Sequence, residues 1–355
     1  MKQILLVFTG GTIGSTATGG TINTSSSAPF KLLQLFQQQY HDPASIHFDT
    51  LQPIQILSEN LAPAAWEIVI AAIESAQPNK YDGIIITHGT DTLAYTSAAM
   101  SLYFHASAIP IFLVSSDYAL DYLEGDNPKG NGLANFICAV EFIRQDISTG
   151  VFVPYRNAGQ TLQIHRGTRL ACSLQLSGDF FSVQGKGFME FDGQHFTTVN
   201  VAASKSDEAA MQDKEQAASG DIIPLKPQFS SRILMVKPYP GLDYSRFELD
   251  SVDAVLHDLY HSGTACATDQ WGKNHSLIEF LKHCQNEDTP VYLAPAIKSE
   301  NAYQSTRELI EHGAEMIWNT SIEAAYVKLM LAYGNFSDRR QISGFIDRDI
   351  ACEHV

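Results

Sequence analysis

Two short stretches combine glycine, threonine and acid in a way that could do chemistry: Thr9-Gly10-Gly11-Thr12 and Gly89-Thr90-Asp91. A threonine hydroxyl is a usable nucleophile when a neighbouring base takes its proton. Asp91 adds a carboxylate able to hold a substrate ammonium group, and Ser58-Glu59 offers a further hydroxyl and acid. Glycine in such turns lets the backbone bend sharply and approach a ligand closely. The plainer alternative is that Thr9 or Thr12 caps the segment after it. These residues alone leave both readings open.

Each stretch ends an apolar run. Residues 4–8 and 83–87 read as strands buried on both faces, and 54–57 reads as a third that ends at Ser58. In an open α/β sheet, ligands bind in the crevice at the carboxyl ends of the strands. Three polar loops on that edge would therefore converge on one site. Residues 15–27 are small and polar, without helical or strand periodicity, and read as a long loop placed to act as a lid. Its alternative is a surface linker with no role.

Helices are expected at about 29–40, 63–75, 94–105 and 131–144, with strands at 109–114 and 151–153. Strand–turn–helix alternation predicts a doubly wound, mostly parallel sheet. From 161 to 199 the texture changes to short segments with Gly-Asp and Asp-Gly turns, which is hairpin patterning. Residues 203–225 are polar and charged and read as a linker. The second half resumes α/β alternation, with strands at 233–236, 254–256 and 291–294 and helices near 276–284, 303–312 and 322–333. The expectation is an α/β protein of two domains: a larger one at 1–202 carrying the threonine motifs and a smaller one at 226–355.

Of the 355 residues, 39 are acidic and 23 basic, a net charge of −16. Such a surface repels phosphate backbones and argues against a nucleic-acid partner. No apolar run approaches the length of a membrane span, and no leader pattern precedes the first strand. The five cysteines are scattered without a C-x-x-C pair, as suits reduced thiols in a cytoplasm. The Gly10–Gly14 turn lacks dinucleotide-loop and P-loop spacing. His257 and His261 have the spacing of a zinc helix, but a strand precedes them and Gly263 comes at once after them, with no third ligand evident.

Thr9-Gly10-Gly11-Thr12-Ile13-Gly14, together with His88-Gly89-Thr90-Asp91-Thr92, resembles the two signature motifs of bacterial-type L-asparaginases. Ser58-Glu59-Asn60-Leu61 falls where that family binds substrate, and the 321–329 segment is similar to its last helix. The likeness runs along essentially the whole chain and is strongest to the cytoplasmic type I branch. It implies a larger and a smaller α/β domain, and homodimers or homotetramers with sites at subunit contacts. It implies no metal or organic cofactor. The implied reaction is hydrolysis of L-asparagine to L-aspartate and ammonia, with Thr12 forming an acyl-enzyme. Thr90 would serve the second threonine-centred triad, Asp91 would hold the substrate's α-ammonium and Ser58 its α-carboxylate. Glu59 stands where members differ in tolerance for glutamine. Backbone N–H groups around Gly11, Gly89 and Thr90 would stabilise the oxyanion.

Two catalytic partners found in that family differ here. Its lid Tyr has no counterpart, because no Tyr occurs between Thr12 and Gln39; Thr21 stands in the corresponding segment. Its second-triad Lys aligns with Cys172, after Arg166-Gly167-Thr168-Arg169, and a neutral thiol cannot replace an amine. The acid that orients the lid Tyr corresponds to Glu300. Losing a general base costs about 10²–10⁴ in rate. Three readings are open: an active divergent amidohydrolase, a homologue that binds Asn or Asp without turnover, or a hydrolase of another amide such as glutamine.

Overall fold

Strand β1 (Lys2–Phe8) is buried from Ile4 onward, and β5 (Gly83–Thr87) is buried at every position. These apolar runs are hidden on both faces because they occupy the middle of a sheet. The computed structural model describes residues 1–11, 13, 15–18, 21–24, 28–120, 123–124, 127–128, 130–173, 176–199 and 223–355. Its contacts divide the chain into one unit of Met1–Pro227 with Ile350–Cys352, and a second of Gln228–Asp349 with Glu353–Val355. The 203–225 segment expected as a linker lies almost wholly outside the described residues.

The first unit continues through β2 (Ser15–Thr18), β3 (Thr21–Thr24), α1 (Ala28–Gln39), β4 (Ile46–Leu51) and α2 (Pro63–Ser75). Beyond β5 come α3 (Leu93–Tyr103), β6 (Pro110–Val114), the short pair β7 (Leu123–Glu124) and β8 (Asn127–Pro128), and α4 (Gly132–Arg144). Strands β9 (Gly150–Tyr155), β10 (Leu162–Arg166), β11 (Met189–Phe191) and β12 (Phe196–Thr198) complete it. Eight strands form one sheet in the order β12-β11-β10-β9-β6-β5-β1-β4. The pairs from β4 to β9 are parallel, and those from β9 to β12 antiparallel. The β11–β12 hairpin turns at Asp192-Gly193, where Gly193 takes φ +105° and the Asp192 carboxylate accepts the His195 N–H at 2.7 Å. Phe36, Phe112, Phe136, Phe142 and Phe152 fill the core on this sheet.

Three readings of the sequence are corrected. The strand beside β1 is β4, not 54–57; of that run only Ile56 pairs, in a single bridge to Gly10. β4 lies at the sheet edge and alternates buried with exposed residues, so its apolar signal is diluted. The stretch expected as a loop at 15–27 contains β2 and β3, paired antiparallel with Thr18 opposite Thr21. The second unit holds two elements beyond those expected: a strand at Glu315–Trp318 and a helix at Arg339–Ile346.

That second unit comprises β13 (Ile233–Val236), β14 (Ala254–Asp258), α5 (Leu277–Asn286), β15 (Val291–Ala296), α6 (Gln304–Glu311), β16 (Glu315–Trp318), α7 (Ile322–Asn335) and α8 (Arg339–Ile346). Its four strands are parallel in simple succession, β13-β14-β15-β16. Helix α7 begins at Ser321, whose hydroxyl accepts the Ala324 N–H at 3.1 Å and so satisfies one orphan donor of the first turn. The ammonium of Lys328, buried on α7, meets the Glu353 carboxylate at 2.6 Å and the Ile346 carbonyl at 2.8 Å. No described helix is long and apolar enough to cross a membrane.

Burial holds His88, His165 and His257 neutral, pushing each pKa down to about 4. Between pH 6.5 and 4 the unfolded chain therefore binds protons that the folded chain refuses. Stability falls as pH drops through that window, by up to about 3 kcal/mol per histidine. Urea midpoints measured from pH 7 down to 4.5 will decline; a flat profile would refute this account.

Candidate active site

Within the parallel part of the first sheet, the chain starts at β1, steps outward to β4, then returns to the opposite side of β1 for β5, β6 and β9. The winding reverses between β1 and β5. At such a switch point the loops from the two strands diverge and leave a crevice at their carboxyl ends, the usual ligand position in doubly wound sheets. Both glycine–threonine turns leave the sheet at this place.

The turns are packed backbone to backbone. Gly10 and Gly11 take φ of +109° and +75°, a region that side chains rarely adopt. A Cβ on Gly11 would lie 2.2 Å from the Gly89 nitrogen, and one on Gly10 would lie 2.3 Å from the Ile56 carbonyl oxygen. A Cβ on Gly89 would meet Ser58 Oγ at 2.3 Å. On the outer side, Ile56 N–H donates to the Thr9 carbonyl at 2.9 Å and Gly11 N–H to the Ile56 carbonyl at 3.1 Å. Residues 54–57 thus act as a brace for the first turn.

The polar groups gather on Ser58, which opens a 3₁₀ turn (Ser58–Asn60) and is 4% exposed. Its hydroxyl donates to Asp91 Oδ2 at 2.9 Å and accepts the Asp91 N–H at 3.3 Å. The Thr92 hydroxyl donates to the Ser58 carbonyl at 3.0 Å. Thr92 is a positioning residue that the sequence reading did not single out, although it stands in the same motif. Thr90 is half-buried, and among the described residues its hydroxyl has no partner. Asp91 and Glu59 are exposed. Beneath the second turn His88 is fully buried, its Nδ1–H donating to the Gly89 carbonyl at 2.8 Å; burial keeps the ring neutral.

The structure therefore brings together Gly11, Ser58, Glu59, Gly89, Thr90 and Asp91. Thr12 and Gly14 lie outside the described residues, as does the Thr21 side chain. The Thr9 hydroxyl donates to the Thr87 carbonyl at 2.6 Å. The Arg166–Arg169 segment packs on α3, the helix just beyond Asp91, with the Ser97 hydroxyl donating to the Gly167 carbonyl at 2.8 Å. Cys172, where an amine was looked for, lies just past that segment and is half-buried. Glu300 is exposed. His257 is buried on β14 with Nε2 2.8 Å from the Tyr244 hydroxyl, while His261 is exposed, so the two do not form a ligand pair.

The fold and the crevice define an α/β protein of two units, with a ligand-type cleft at the switch point of the larger sheet. An asparaginase N-terminal family model matches residues 3–198. The chain is similar to the L-asparaginase of Thermococcus kodakarensis strain KOD1, 27% identical over 356 residues, spanning 99% of this chain and 98% of that protein. It is also similar to a component of the glutamyl-tRNA(Gln) amidotransferase of Haloquadratum walsbyi, 27% identical over 351 residues, 95% of this chain and 73% of that protein. Among solved structures, the thermostable L-asparaginase from Thermococcus kodakarensis superposes with a TM-score of 0.77 at 24% identity, covering 99% of both chains. L-asparaginase I from Vibrio cholerae does so at 0.76 and 22%, covering 100% of this chain and 99% of that one. This chain belongs to the asparaginase family, and is an amidohydrolase of that type.

Gly11→Ala tests the backbone contact. The left-handed conformation alone costs about 1–3 kcal/mol for a residue with a Cβ, and the contact with Gly89 adds to it. The urea midpoint will fall accordingly, and an unchanged midpoint would show that the two turns are not packed as described.

Proposed function

We propose that this chain hydrolyses L-asparagine to L-aspartate and ammonia, with residues 1–202 as the domain that carries the reaction. The observation that supports the reading is the meeting of two glycine turns at the sheet's switch point, with the Ser58–Asp91 pair beside them. Thr12, next in sequence to Gly11, attacks the carbon of the side-chain amide. Its proton passes to the leaving nitrogen, ammonia departs, and an ester to Thr12 remains. Water attacks that ester and returns the proton to the threonine.

Asp91 is exposed to receive the α-ammonium, and the Ser58 hydroxyl, which donates to Asp91 in the free protein, turns its proton to the α-carboxylate when substrate binds. N–H groups of the Gly11 and Gly89–Thr90 turns stabilise the oxyanion as charge develops. Thr90 hands a proton to or from the water or the nucleophile. Its half-buried hydroxyl is available for that role.

One observation favours a second reading. Cys172 and the Tyr-free lid remove two groups that handle protons in the family, which suits an asparagine- or aspartate-binding homologue with little turnover. The similarity to a glutamyl-tRNA(Gln) amidotransferase component brings glutamine into the comparison as a third possibility. Ammonia release is measured with asparagine and glutamine in parallel. The proposal expects turnover of asparagine that Thr12→Ala lowers at least about 10³-fold, and a raised KM in Asp91→Asn. Aspartate binding without ammonia release would establish the binding homologue instead. Indifference of the melting temperature to either amino acid at millimolar concentration would place the substrate elsewhere.

A further inference from the structure

The β1–β5 ladder runs in register from Ile4 opposite Gly83 to Phe8 opposite Thr87. At the next residue the two backbones must part, because each enters its own turn. Thr9 sits at this fork, 3% exposed, against Thr87, 1% exposed. Its hydroxyl donates to the Thr87 carbonyl at 2.6 Å, and its N–H reaches Thr87 Oγ1 at 3.4 Å. A side chain has taken over the ladder at the point where the main chains leave it.

Backbone groups and missing side chains also restrain the first turn. Ile56 braces it from outside through two main-chain hydrogen bonds, and the absent Cβ atoms of Gly11 and Gly89 permit contact without fixing its distance. The Thr9 hydroxyl ties the first turn directly to the strand carrying the second, at a shorter distance than the Thr9 N–H contact with Thr87 Oγ1. Two residues beyond Thr87 stands Gly89, and two beyond Thr9 stands Gly11, so an error at this link is carried straight into the contact between the turns. A buried carbonyl that loses its donor is left unsatisfied, which disfavours the present arrangement of the two strands.

We propose that Thr9 is a positioning residue, whose hydroxyl sets the spacing between the Gly10-Gly11 turn and the Gly89–Asp91 turn and so the geometry of the transition state. The inference rests on the asparagine-hydrolysis reading. Reacting groups must be held within about 0.5 Å of productive geometry, and a misplacement near 1 Å can cost about 100-fold.

The test compares Thr9→Val, which keeps the shape and removes the donor, with Thr9→Ser, which keeps the donor and drops the methyl. Thr9→Ala serves if the valine variant does not fold. Ammonia release from asparagine is measured per folded protein. The valine variant is expected to lose about 10- to 100-fold in kcat with KM changed less than about threefold, and the serine variant to recover most of the loss. A purely structural role would lower the melting temperature and leave kcat alone. Wild-type kcat in Thr9→Val, or equal loss in Thr9→Ser, overturns the proposal. Crystal structures of wild type and Thr9→Val supply a readout independent of turnover. The Gly11–Gly89 backbone separation should change by about 0.5 Å or more, and an unchanged separation refutes the role. Should the wild type release no ammonia, the function proposed above fails, and the crystal comparison still decides for or against Thr9.

Discussion

Two glycine backbones, Gly11 and Gly89, touch across the boundary between β1 and β5, and the polar groups of the site are placed relative to that contact. A Cβ on Gly11 would fall 2.2 Å from the Gly89 nitrogen and prevent the turns from closing, and one on Gly89 would fall 2.3 Å from Ser58 Oγ. The missing side chains permit the contact, and the hydrogen bonds around them define it. Ser58 reaches Asp91, Thr92 reaches back to Ser58, and His88 holds the Gly89 carbonyl from below. The crevice is therefore built mostly from backbone, which is stiff, and from short side chains with few rotamers to lose.

Much of this was legible in the sequence because strands buried on both faces announce themselves as unbroken apolar runs. Ile84-Ile85-Ile86 and Ile111-Phe112-Leu113 could hardly lie elsewhere than in the centre of a sheet. The edge was harder to read. Ile46–Leu51 includes Asp49 and a single fully buried residue, so the denser apolar run at 54–57 drew the assignment that belonged to it. Signals for the other missed elements were present. Gly19-Gly20 between runs rich in threonine is a two-residue hairpin pattern. Asp338 caps Arg339–Ile346, with Ile342, Phe345 and Ile346 at helical spacing.

The site divides in a similar way. Residue types and strand-end positions were enough to nominate Gly11, Gly89, Thr90 and Asp91; Ser58 was nominated as the end of a strand at 54–57, which is instead a single bridge at Ile56. Thr92 donates to the Ser58 carbonyl and Thr87 offers its own carbonyl to Thr9, and hydrogen bonds of this kind leave no pattern in a sequence. Yet the two turns share a rhythm, Thr9-x-Gly-Thr and Thr87-x-Gly-Thr, and the leading threonine of each proves to be bonded to the other.

The 3₁₀ turn at Ser58–Asn60 has an uneven tolerance for change. Ser58 is enclosed, with its hydroxyl committed to Asp91 and its carbonyl to Thr92 and Leu61. Glu59, one residue on, is exposed, and its carboxylate makes no hydrogen bond among the described residues. Mutational drift can therefore rewrite position 59 at little cost to folding while position 58 stays fixed. Adjacent residues on one turn thus differ sharply in how much of the structure depends on them.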